Sequence, residues 1–395
     1  MSIPFKLKSV VLSTIILSLT ACGGGTAGNK ESVKPIAEQP VAFDYQASID
    51  NAITDAVPGI ILLVEKPDFK FLGSAGLADI ETQTAMETNH VMPNGSAGKK
   101  LTALLTNMLA EDGLLDLDDT IDTWLSDDIL SQIENSEKIT LRQLLNHTSG
   151  IFNYLDEAIS DKFFETILAD PDTIKTDSYV LPLGLNQPAY SLPGEAFNYS
   201  NTGYLLIGLI LDEVLGEHHS AAIRNRILIP FGMNASFYNG VEKSFGEIIS
   251  GYVVNDKYGE FNSKRYYQNI GVSDAPLTAS VEDLALLLKL IVGQDDQISE
   301  FIKAQILGEN TLVDVGGSVL VASDKNASYG QGIFKEVINN QTVYHHGGLE
   351  PGYSTTNIYI ADSQTSITAF FNCGSSTQCD LETDALVNTI LMNEL

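Results

Sequence analysis

The chain has 395 residues, of which 44% are hydrophobic, so it is long enough and apolar enough to bury a large core. Acidic residues outnumber basic residues by 51 to 22, which gives a formal net charge of −29 at pH 7. A surface this negative repels phosphate backbones and anionic headgroups, and it argues against nucleic acid as a partner. Any attachment to a membrane therefore needs something other than a basic surface.

The first residues have the pattern of an export signal. Lys6 and Lys8 precede an apolar run over residues 9–19, and small residues lead from there to Cys22. The run is too short to span a bilayer as a permanent helix. The pattern resembles a bacterial lipoprotein signal over residues 1–21, cut before Cys22, which would then carry the lipid. The alternative is ordinary secretion, with Cys22 discarded or left free.

Residues 22–42 mix Gly, Pro, Lys and Glu with little apolar content, which predicts a flexible tether. Gly23 follows the cysteine where an aspartate is absent, a pattern similar to lipoproteins sorted to the outer membrane. We therefore expect a bacterial cell-envelope protein that is anchored by its lipid and faces the periplasm. The globular part is expected over residues 43–395.

Within the globular part, hydrophobic periodicity predicts strands at both ends and helices between them. The predicted strands are 60–64, 70–73, 342–346, 353–360 and 366–372, and the predicted helices are 101–109, 139–145, 204–215, 281–292 and 380–392. This order predicts an α/β (α+β) fold, in which an antiparallel sheet is assembled from both termini and flanked by helices. The expected sheet subdomain covers about 43–95 and 325–395, with a mainly helical domain inserted over about 96–324.

Ser96 and Lys99 are the first candidate catalytic residues. They lie three residues apart at the start of a predicted helix, so their side chains share one face. The helix N-terminus also favours negative charge on the serine oxygen. Lys99 is the only lysine in the sequence with a serine three residues before it. The alternative interpretation is a capping serine beside a solvated lysine.

Tyr199-Ser200-Asn201 is the second candidate segment. It follows Pro193-Gly194, which predicts a turn, and it precedes an amphipathic helix. A phenol in this position can exchange a proton with a nearby lysine. Tyr267-Gln268-Asn269 has the same spacing of Tyr and Asn, but it lacks the preceding turn and the following helix, so we rank it below Tyr199.

His345-His346-Gly347-Gly348 is the third candidate segment, at the end of a predicted strand. A small residue there lets a substrate lie against the strand edge, and the Gly348 N–H could complete an oxyanion hole with the Ser96 N–H. The two imidazoles could instead bind a metal. Adjacent residues of a strand point to opposite faces, however, so we expect no metal site here.

Two cysteines near the C-terminus, Cys373 and Cys379, could close a small disulfide loop in an oxidising compartment. Spacing alone does not determine the geometry, so two unpaired thiols are the equal alternative.

Together and in this order, the three segments resemble the family of class C β-lactamases, D,D-carboxypeptidases, D-aminopeptidases and related esterases. Two further stretches, residues 114–119 and 139–150, are similar to sequences typical of that family. The resemblance therefore covers nearly all of the chain after residue 42. It implies a β-lactamase/transpeptidase-like fold and a serine hydrolase without a cofactor.

The resemblance also implies a role for each candidate residue. Ser96 would attack a carbonyl, with Lys99 and Tyr199 as a coupled acid–base unit. Asn201 would orient the acyl side chain, and His345 would line the pocket opposite Tyr199. Gly347 and Gly348 would contribute to substrate and oxyanion binding. His147 lies in one of the similar stretches, and we interpret it as structural.

Two departures from the family pattern bear on the substrate. The lactamases of the family usually have Lys-Thr-Gly as the third segment, and here His345 is expected at the lysine position. Histidine carries less positive charge than lysine near neutral pH, so it docks a substrate carboxylate less well. Residues 275–277, Ala-Pro-Leu, also differ from the glycine-rich segment common in the family.

The histidine favours peptidase or esterase chemistry on D-amino-acid peptides, peptidoglycan peptides or small esters over β-lactam hydrolysis, while the Ala-Pro-Leu segment leaves the shape of the pocket open. The alternative hypothesis is a lipid-tethered protein of the same fold that binds peptidoglycan without turnover.

Overall fold

The computed structural model describes residues 43–255, 259–294, 296–321 and 325–395. The predicted signal of residues 1–21, the predicted tether of residues 22–42 and the proposed lipid attachment at Cys22 lie outside these residues. Among the described helices, none is both long enough and apolar enough to cross a membrane.

The described strands are numbered in chain order. They are β1 Gly59–Lys66, β2 Phe69–Asp79, β3 Thr84–Ala85, β4 Met92–Pro93, β5 Lys175–Thr176, β6 Phe237–Tyr238, β7 Tyr252–Asn255, β8 Gly259–Asn262, β9 Ile270–Gly271, β10 Leu277–Ala279, β11 Val313–Asp314, β12 Ser328–Tyr329, β13 Phe334–Ile338, β14 Gln341–His345, β15 Gly348–Glu350, β16 Tyr353–Ile360 and β17 Thr365–Phe371.

The described α-helices are numbered in the same way. They are α1 Tyr45–Asn51, α2 Lys99–Glu111, α3 Asp127–Leu130, α4 Leu141–Leu145, α5 Ser160–Ala169, α6 Asp177–Val180, α7 Asn201–Leu215, α8 Ser220–Ile223, α9 Lys264–Tyr267, α10 Val281–Val292, α11 Glu300–Leu307 and α12 Thr377–Glu394. Every helix and strand that the sequence predicted has a counterpart among these elements.

The main sheet takes its strands from both ends of the described chain, as the sequence predicted. Its strand order is β11-β12-β13-β14-β16-β17-β1-β2-β3, and β15 pairs with β16 on a side branch. Neighbouring strands of this sheet are antiparallel. The outermost strand, β11, lies before residue 325, the position from which the sequence predicted the second part of the sheet subdomain.

The centre of the sheet is buried on both faces, which explains its continuous apolar strands. In β1, Ile61 and Leu63 belong to the core formed with the helical middle of the chain, while Ile60 and Leu62 belong to a second core under α1 and α12. A strand that is covered on both faces needs apolar side chains at every position rather than in alternation. We call the α1/α12 side the outer face and the helical side the inner face.

Two helices of the middle part of the chain begin at N-caps that the local sequence supplies. α4 begins with a capping box, in which the Thr140 side chain accepts from the Gln143 N–H and the Gln143 side chain accepts from the Thr140 N–H. The first residue of α10 follows Ser280, whose hydroxyl accepts from the Asp283 N–H. These caps fix where the two helices begin. The apolar faces of both helices then pack in the inner-face core against the sheet.

Cys373 and Cys379 form a disulfide that joins the end of β17 to the first turn of α12. Of the two alternatives that the spacing left open, the structure therefore has the closed loop.

Candidate active site

The proposed nucleophile lies in a tight turn directly before a helix. Residues Gly95–Gly98 form one 3₁₀ turn, and α2 continues from Lys99 without a break. Gly95 has φ +52°, a left-handed conformation that glycine adopts without steric cost. The turn places Ser96 and Lys99 on one face, as their spacing predicted.

Lys99 uses its ammonium group to connect three parts of the chain. Its Nζ donates to Ser96 Oγ at 3.0 Å, to Asn201 Oδ1 at 2.7 Å and to the backbone oxygen of Asp274 at 2.8 Å. Three acceptors match the three N–H donors of a lysine, which is fully buried here. The lysine is therefore held in one position beside the serine oxygen.

Tyr199 lies on the other side of this lysine. Lys99 Nζ is 5.1 Å from the centre of the Tyr199 ring, and the Tyr199 hydroxyl is buried without a hydrogen-bond partner among the described residues. A hydroxyl in this state is available to bond with an incoming substrate or water. The structure thus brings Ser96, Tyr199 and Asn201 together around Lys99, and their catalytic roles stay a prediction.

His147 packs against the Tyr199-Ser200-Asn201 segment. Its ring centre lies 4.1 Å from that of Tyr199, and its Nδ1 accepts from the Ser200 N–H at 3.2 Å. Burial, followed by the charge of Lys99, holds the pKa of His147 well below its usual value, so the ring is neutral. A neutral ring with this partner positions the Tyr199-Ser200-Asn201 segment, as expected for a structural residue.

The predicted position of His345 opposite Tyr199 is wrong. His345 pairs across the sheet with Ile358, whose side chain belongs to the outer-face core, so its own side chain points to the outer face. There its Nε2 lies 2.9 Å from Glu336 Oε1 in a buried ion pair. Alternation along the strand separates the two histidines, as expected, but it assigns the inner face to the second one.

His346 takes the inner-face position. Its ring centre is 6.3 Å from that of Tyr199, its Nδ1 donates to Gly347 O at 2.7 Å, and its Nε2 is left to accept from Tyr329 Oη at 3.3 Å. Burial, followed by the charges of Lys100 and Lys99, lowers the pKa of His346 well below its usual value. This site therefore presents a neutral imidazole, without the positive charge of the family's lysine.

The two glycines belong to a segment that lies against the nucleophile turn. A Cβ on Gly348 would lie 2.0 Å from Asn94 O, so only glycine fits there. The reason is contact with the protein's own backbone, whereas the sequence pattern predicted space for a substrate. Gly347 is exposed beside it.

The N–H of Gly348 as an oxyanion donor stays a prediction, and Leu349 supplies a second candidate. Leu349 N lies 3.2 Å from the place that a Cβ on Gly95 would occupy, closer than the nitrogen of Gly348. A cavity of about 540 Å³ opens at this point and is lined by Ser96, Tyr199, His346, Gly347 and Gly348. The same cavity continues past the end of β14 to the outer face, where His345 and α12 line it.

Sequence reasoning missed three residues of the site: His346, Leu349 and Asp274. His346 would have followed from alternation along the strand only if the last residue of β14 and its direction had been known. Asp274 immediately precedes the Ala-Pro-Leu segment that departs from the family pattern, which was the available signal. Leu349 contributes only its backbone, so no side-chain motif marks it.

One group of possible metal ligands lies elsewhere, around Asp212, His218 and His219, whose ligand atoms fall within 4.8 Å of one another. His219 Nδ1 is 2.6 Å from Asp212 Oδ1, and its Nε2 is 2.8 Å from Tyr238 Oη. Both nitrogens of this buried ring are thus already bonded, and the group has the contacts of a structural hydrogen-bond network.

The chain is similar in sequence to a known family and to curated proteins. The model of the family described as Beta-lactamase matches residues 46–391. Penicillin-binding protein 4* of Bacillus subtilis (strain 168) is 27% identical over 333 residues, which cover 81% of this chain and 69% of that protein.

Two solved structures are also similar. The D-stereospecific amidohydrolase from Streptomyces sp. has a TM-score of 0.71 at 24% identity, over 86% of this chain and 97% of the other. The D-amino acid amidase from Ochrobactrum anthropi SV3 has a TM-score of 0.70 at 20% identity, over 89% and 98%. At these identities the likeness shows the fold, a mixed α/β architecture of the β-lactamase/transpeptidase type. The family match, which covers most of the chain, places the protein in the Beta-lactamase family, within the serine β-lactamase-like superfamily.

Proposed function

We propose that the protein is a serine hydrolase that cleaves amide or ester bonds through an acyl-enzyme on Ser96. The observation that carries the proposal is the contact of Lys99 Nζ with Ser96 Oγ at 3.0 Å, made by a lysine that two further acceptors hold in place. A capping serine beside a solvated lysine would leave the lysine exposed, whereas Lys99 is buried. Membership of the family supports serine hydrolase chemistry in general.

The proposed reaction has two halves. In the reactive form the Lys99–Tyr199 pair holds one proton fewer than an ammonium and a phenol together. The pair therefore accepts the Ser96 proton as Oγ attacks the carbonyl carbon, and it then gives that proton to the leaving nitrogen or oxygen. The carbonyl oxygen, negative in the tetrahedral intermediate, accepts from the Ser96 N–H and an N–H of the Gly348–Leu349 segment. Water then attacks the ester carbonyl, gives a proton to the same pair, and the carboxylic acid leaves as Ser96 regains its hydrogen.

The neutral state of His346 bears on the class of substrate. A cation at this place would dock a carboxylate on the leaving-group side, and His346 offers none. This favours simple amides and esters over β-lactams, and it ranks D,D-carboxypeptidase activity lower because those substrates also end in a carboxylate. The similar amidohydrolase and amidase structures support the same choice. A lipid anchor on Cys22 and a place in the cell envelope remain part of the proposal.

The test is the intact mass of the purified protein after exposure to a fluorophosphonate probe. We expect one adduct per chain on the wild type and none on Ser96→Ala, because the probe reacts only with an activated serine. Ser131→Ala, which removes an exposed serine far along the chain, is the matched control and should keep the adduct. A folded wild-type protein without an adduct would overturn the proposal and favour a binding protein without turnover.

A further inference from the structure

One of the three acceptors of Lys99 belongs to a segment that two helices hold in place. Lys99 Nζ donates to the backbone oxygen of Asp274 at 2.8 Å, and Asp274 directly follows Ser273. The Ser273 N–H donates to Oδ1 of Asp177, the first residue of α6, at 2.7 Å. The Ser273 oxygen accepts from Oγ1 of Thr102 in α2 at 2.8 Å. Both polar groups of the Ser273 backbone are therefore bonded to buried side chains.

The Ser273 side chain adds a third contact. Its Oγ lies 2.6 Å from Asp177 Oδ2 and 3.0 Å from His219 Nε2. His219 Nδ1 in turn lies 2.6 Å from Asp212 Oδ1. Serine, histidine and aspartate follow one another here as in a catalytic triad, but Ser273 and His219 are 0% exposed, so their atoms are closed to a substrate. This network therefore acts on the chain around it.

The neighbouring helix leaves room for these contacts. A Cβ on Gly208 of α7 would lie 2.0 Å from Ser273 Oγ and 2.1 Å from Asp177 Oδ2, so a side chain at this position would displace both groups. α7 begins at Asn201, whose Oδ1 is another acceptor of Lys99. The helix that carries one acceptor of the lysine is thus shaped around the support of a second acceptor.

The segment that follows Ser273 also touches the turn that carries the nucleophile. The Leu277 oxygen accepts from the Asn94 N–H at 2.9 Å. Residues 275–277 are the Ala-Pro-Leu stretch that departs from the family's glycine-rich pattern, and its proline restricts the backbone where glycine would leave it free. A shift of the segment would therefore disturb both the turn and the lysine.

We propose that Thr102 and Asp177 are positioning residues for the proposed reaction. Through Ser273 they hold the backbone oxygen that directs the Lys99 ammonium group towards the nucleophile. This inference rests on the proposed function, because it concerns the reactivity of the same serine. Neither side chain is among the described residues that line the cavity at the nucleophile, so we expect an effect on the rate of reaction and not on the binding of a reagent.

The experiment measures fluorophosphonate labelling of Ser96 over a range of probe concentrations, which separates binding of the probe from the maximum labelling rate. Thr102→Val removes the hydroxyl and nearly keeps the shape of the side chain. A displacement of about 1 Å typically costs on the order of 100-fold in rate, so we expect the loss of this one bond to lower the maximum rate about tenfold. The half-saturating probe concentration should change little. Thr102→Ser keeps the hydroxyl and should retain most of the rate.

Thr106→Val is the matched control. Thr106 is as buried as Thr102 and lies in the same helix, but its hydroxyl donates to the backbone of α2 and not to the segment that holds Lys99. We expect this variant to label at the wild-type rate, even where unfolding in urea shows that the two Thr→Val variants lose similar stability.

Asp177→Ala gives a second, independent route. It removes both contacts with Ser273, and we expect the maximum rate to fall about 100-fold. Burial raises the pKa of Asp177 well above its usual value, so the neutral amide of Asp177→Asn resembles the buried acid and should retain most of the rate. Asp283→Ala is the matched control, since Asp283 likewise accepts from a backbone N–H and a serine hydroxyl, but at residues 235 and 236. It should label at the wild-type rate.

The outcomes separate the two proposals. Maximum rates of Thr102→Val and Asp177→Ala that equal those of their matched controls would overturn the positioning role and leave the serine hydrolase intact. A loss that Thr102→Ser and Asp177→Asn share in full would do the same, because the hydrogen-bonding groups would then not be its cause. Folded wild type that is never labelled overturns the serine hydrolase, and the positioning role with it.

Discussion

Two adjacent lysines at the start of α2 show how strongly surroundings decide what a residue does. Both are fully buried, but Lys99 meets three acceptors from three segments, while the one acceptor of Lys100 Nζ among the described residues is Ala97 O. Burial lowers the pKa of Lys100 from 10.5 to about 7. The first lysine is placed for chemistry, whereas the second carries a cost to stability that depends on pH.

Replacing Lys100 by Met should stabilise the protein in a pH-dependent way. Below pH 7 the folded and unfolded chains both carry the charge, so the full cost of burying it applies. Between pH 7 and about 10 the folded chain loses the proton first, and the wild type regains stability as the pH rises. We expect Lys100→Met to be more stable by roughly 3 kcal/mol at pH 6, after loss of the bond to Ala97, and by much less at pH 9.

The measurement is the free energy of unfolding in urea at the two pH values. Lys138→Met removes an exposed lysine and should change stability little at either pH. An advantage of Lys100→Met that is equal at pH 6 and pH 9 would contradict a lowered pKa for the buried amine.

At the scale of single residues, spacing along the chain predicted those contacts that a single helix turn determines. Ser96 and Lys99 were found because a separation of three residues on a helix is enough to place both side chains on one face. The exchange of His345 for His346 was not predictable, because alternation says that the two differ without saying which one faces the core. The contact of Lys99 with the Asp274 backbone oxygen was missed for another reason: it joins distant segments that share no sequence pattern.

Among the elements, β15 has the closest relation to chemistry. It is a three-residue strand that pairs with β16 on one edge and packs against the nucleophile turn on the other. The approach is so close that Gly348 has no room for a side chain. The position of the proposed oxyanion donors therefore depends on a contact between two backbones.

Gly348→Ala tests this contact. The new Cβ would meet Asn94 O at 2.0 Å, so the strand must move away from the turn that carries Ser96. A displacement of about 1 Å typically costs on the order of 100-fold in rate, and overpacking costs about 1–3 kcal/mol in stability. We expect the rate of fluorophosphonate labelling to fall by at least about tenfold, measured on protein that circular dichroism shows to be folded.

Gly317→Ala is the matched control, since nothing lies within 4 Å of its added methyl group. It should label at the wild-type rate. If Gly348→Ala labelled equally fast, the contact between β15 and the turn would have no bearing on reactivity.

The elements themselves were largely predictable. α2, α7 and α10 follow apolar periodicity, and β1 follows the continuous apolar run typical of a doubly covered strand, whereas the equally buried β17 includes Thr365, Ser366 and Thr368. Short elements such as β15 and the turn before α2 were not predicted as elements, because three or four residues carry too little periodicity. The site depends on these short elements, which is why the fold was easier to predict than the site.

On the scale of the whole molecule, the two ends of the described chain meet on the outer face. The Tyr45 hydroxyl of α1 donates to the Glu394 carboxylate of α12, and Lys66 at the end of β1 pairs with the same group. The disulfide between Cys373 and Cys379 fixes the start of α12 on this face. α12 therefore closes the second core and is held at both of its ends.

Removing the disulfide should lower stability moderately. It closes a short loop, with a sequence separation of six residues, for which loop-closure entropy gives about 2 kcal/mol. We expect a reductant to lower the free energy of unfolding of the wild type by about this amount. The double variant Cys373→Ser, Cys379→Ser should start near the reduced value and not respond to the reductant. A wild type that is insensitive to reductant would argue against the bond.

The place of β1 and β17 side by side has a consequence for the order of folding. Ile60 pairs with Phe371, so the two strands at the centre of the sheet come from nearly opposite ends of the described chain. As the chain emerges from its N-terminal end, the β1–β2 hairpin and parts of the helical middle can form, but the open edge of β1 has no partner until β17 is available. β16 and β15 add to the sheet only beyond β17. The strand that borders Ser96 is thus among the last of the described strands to find its place, and we expect the proposed reactivity of Ser96 only after β17 has paired with β1.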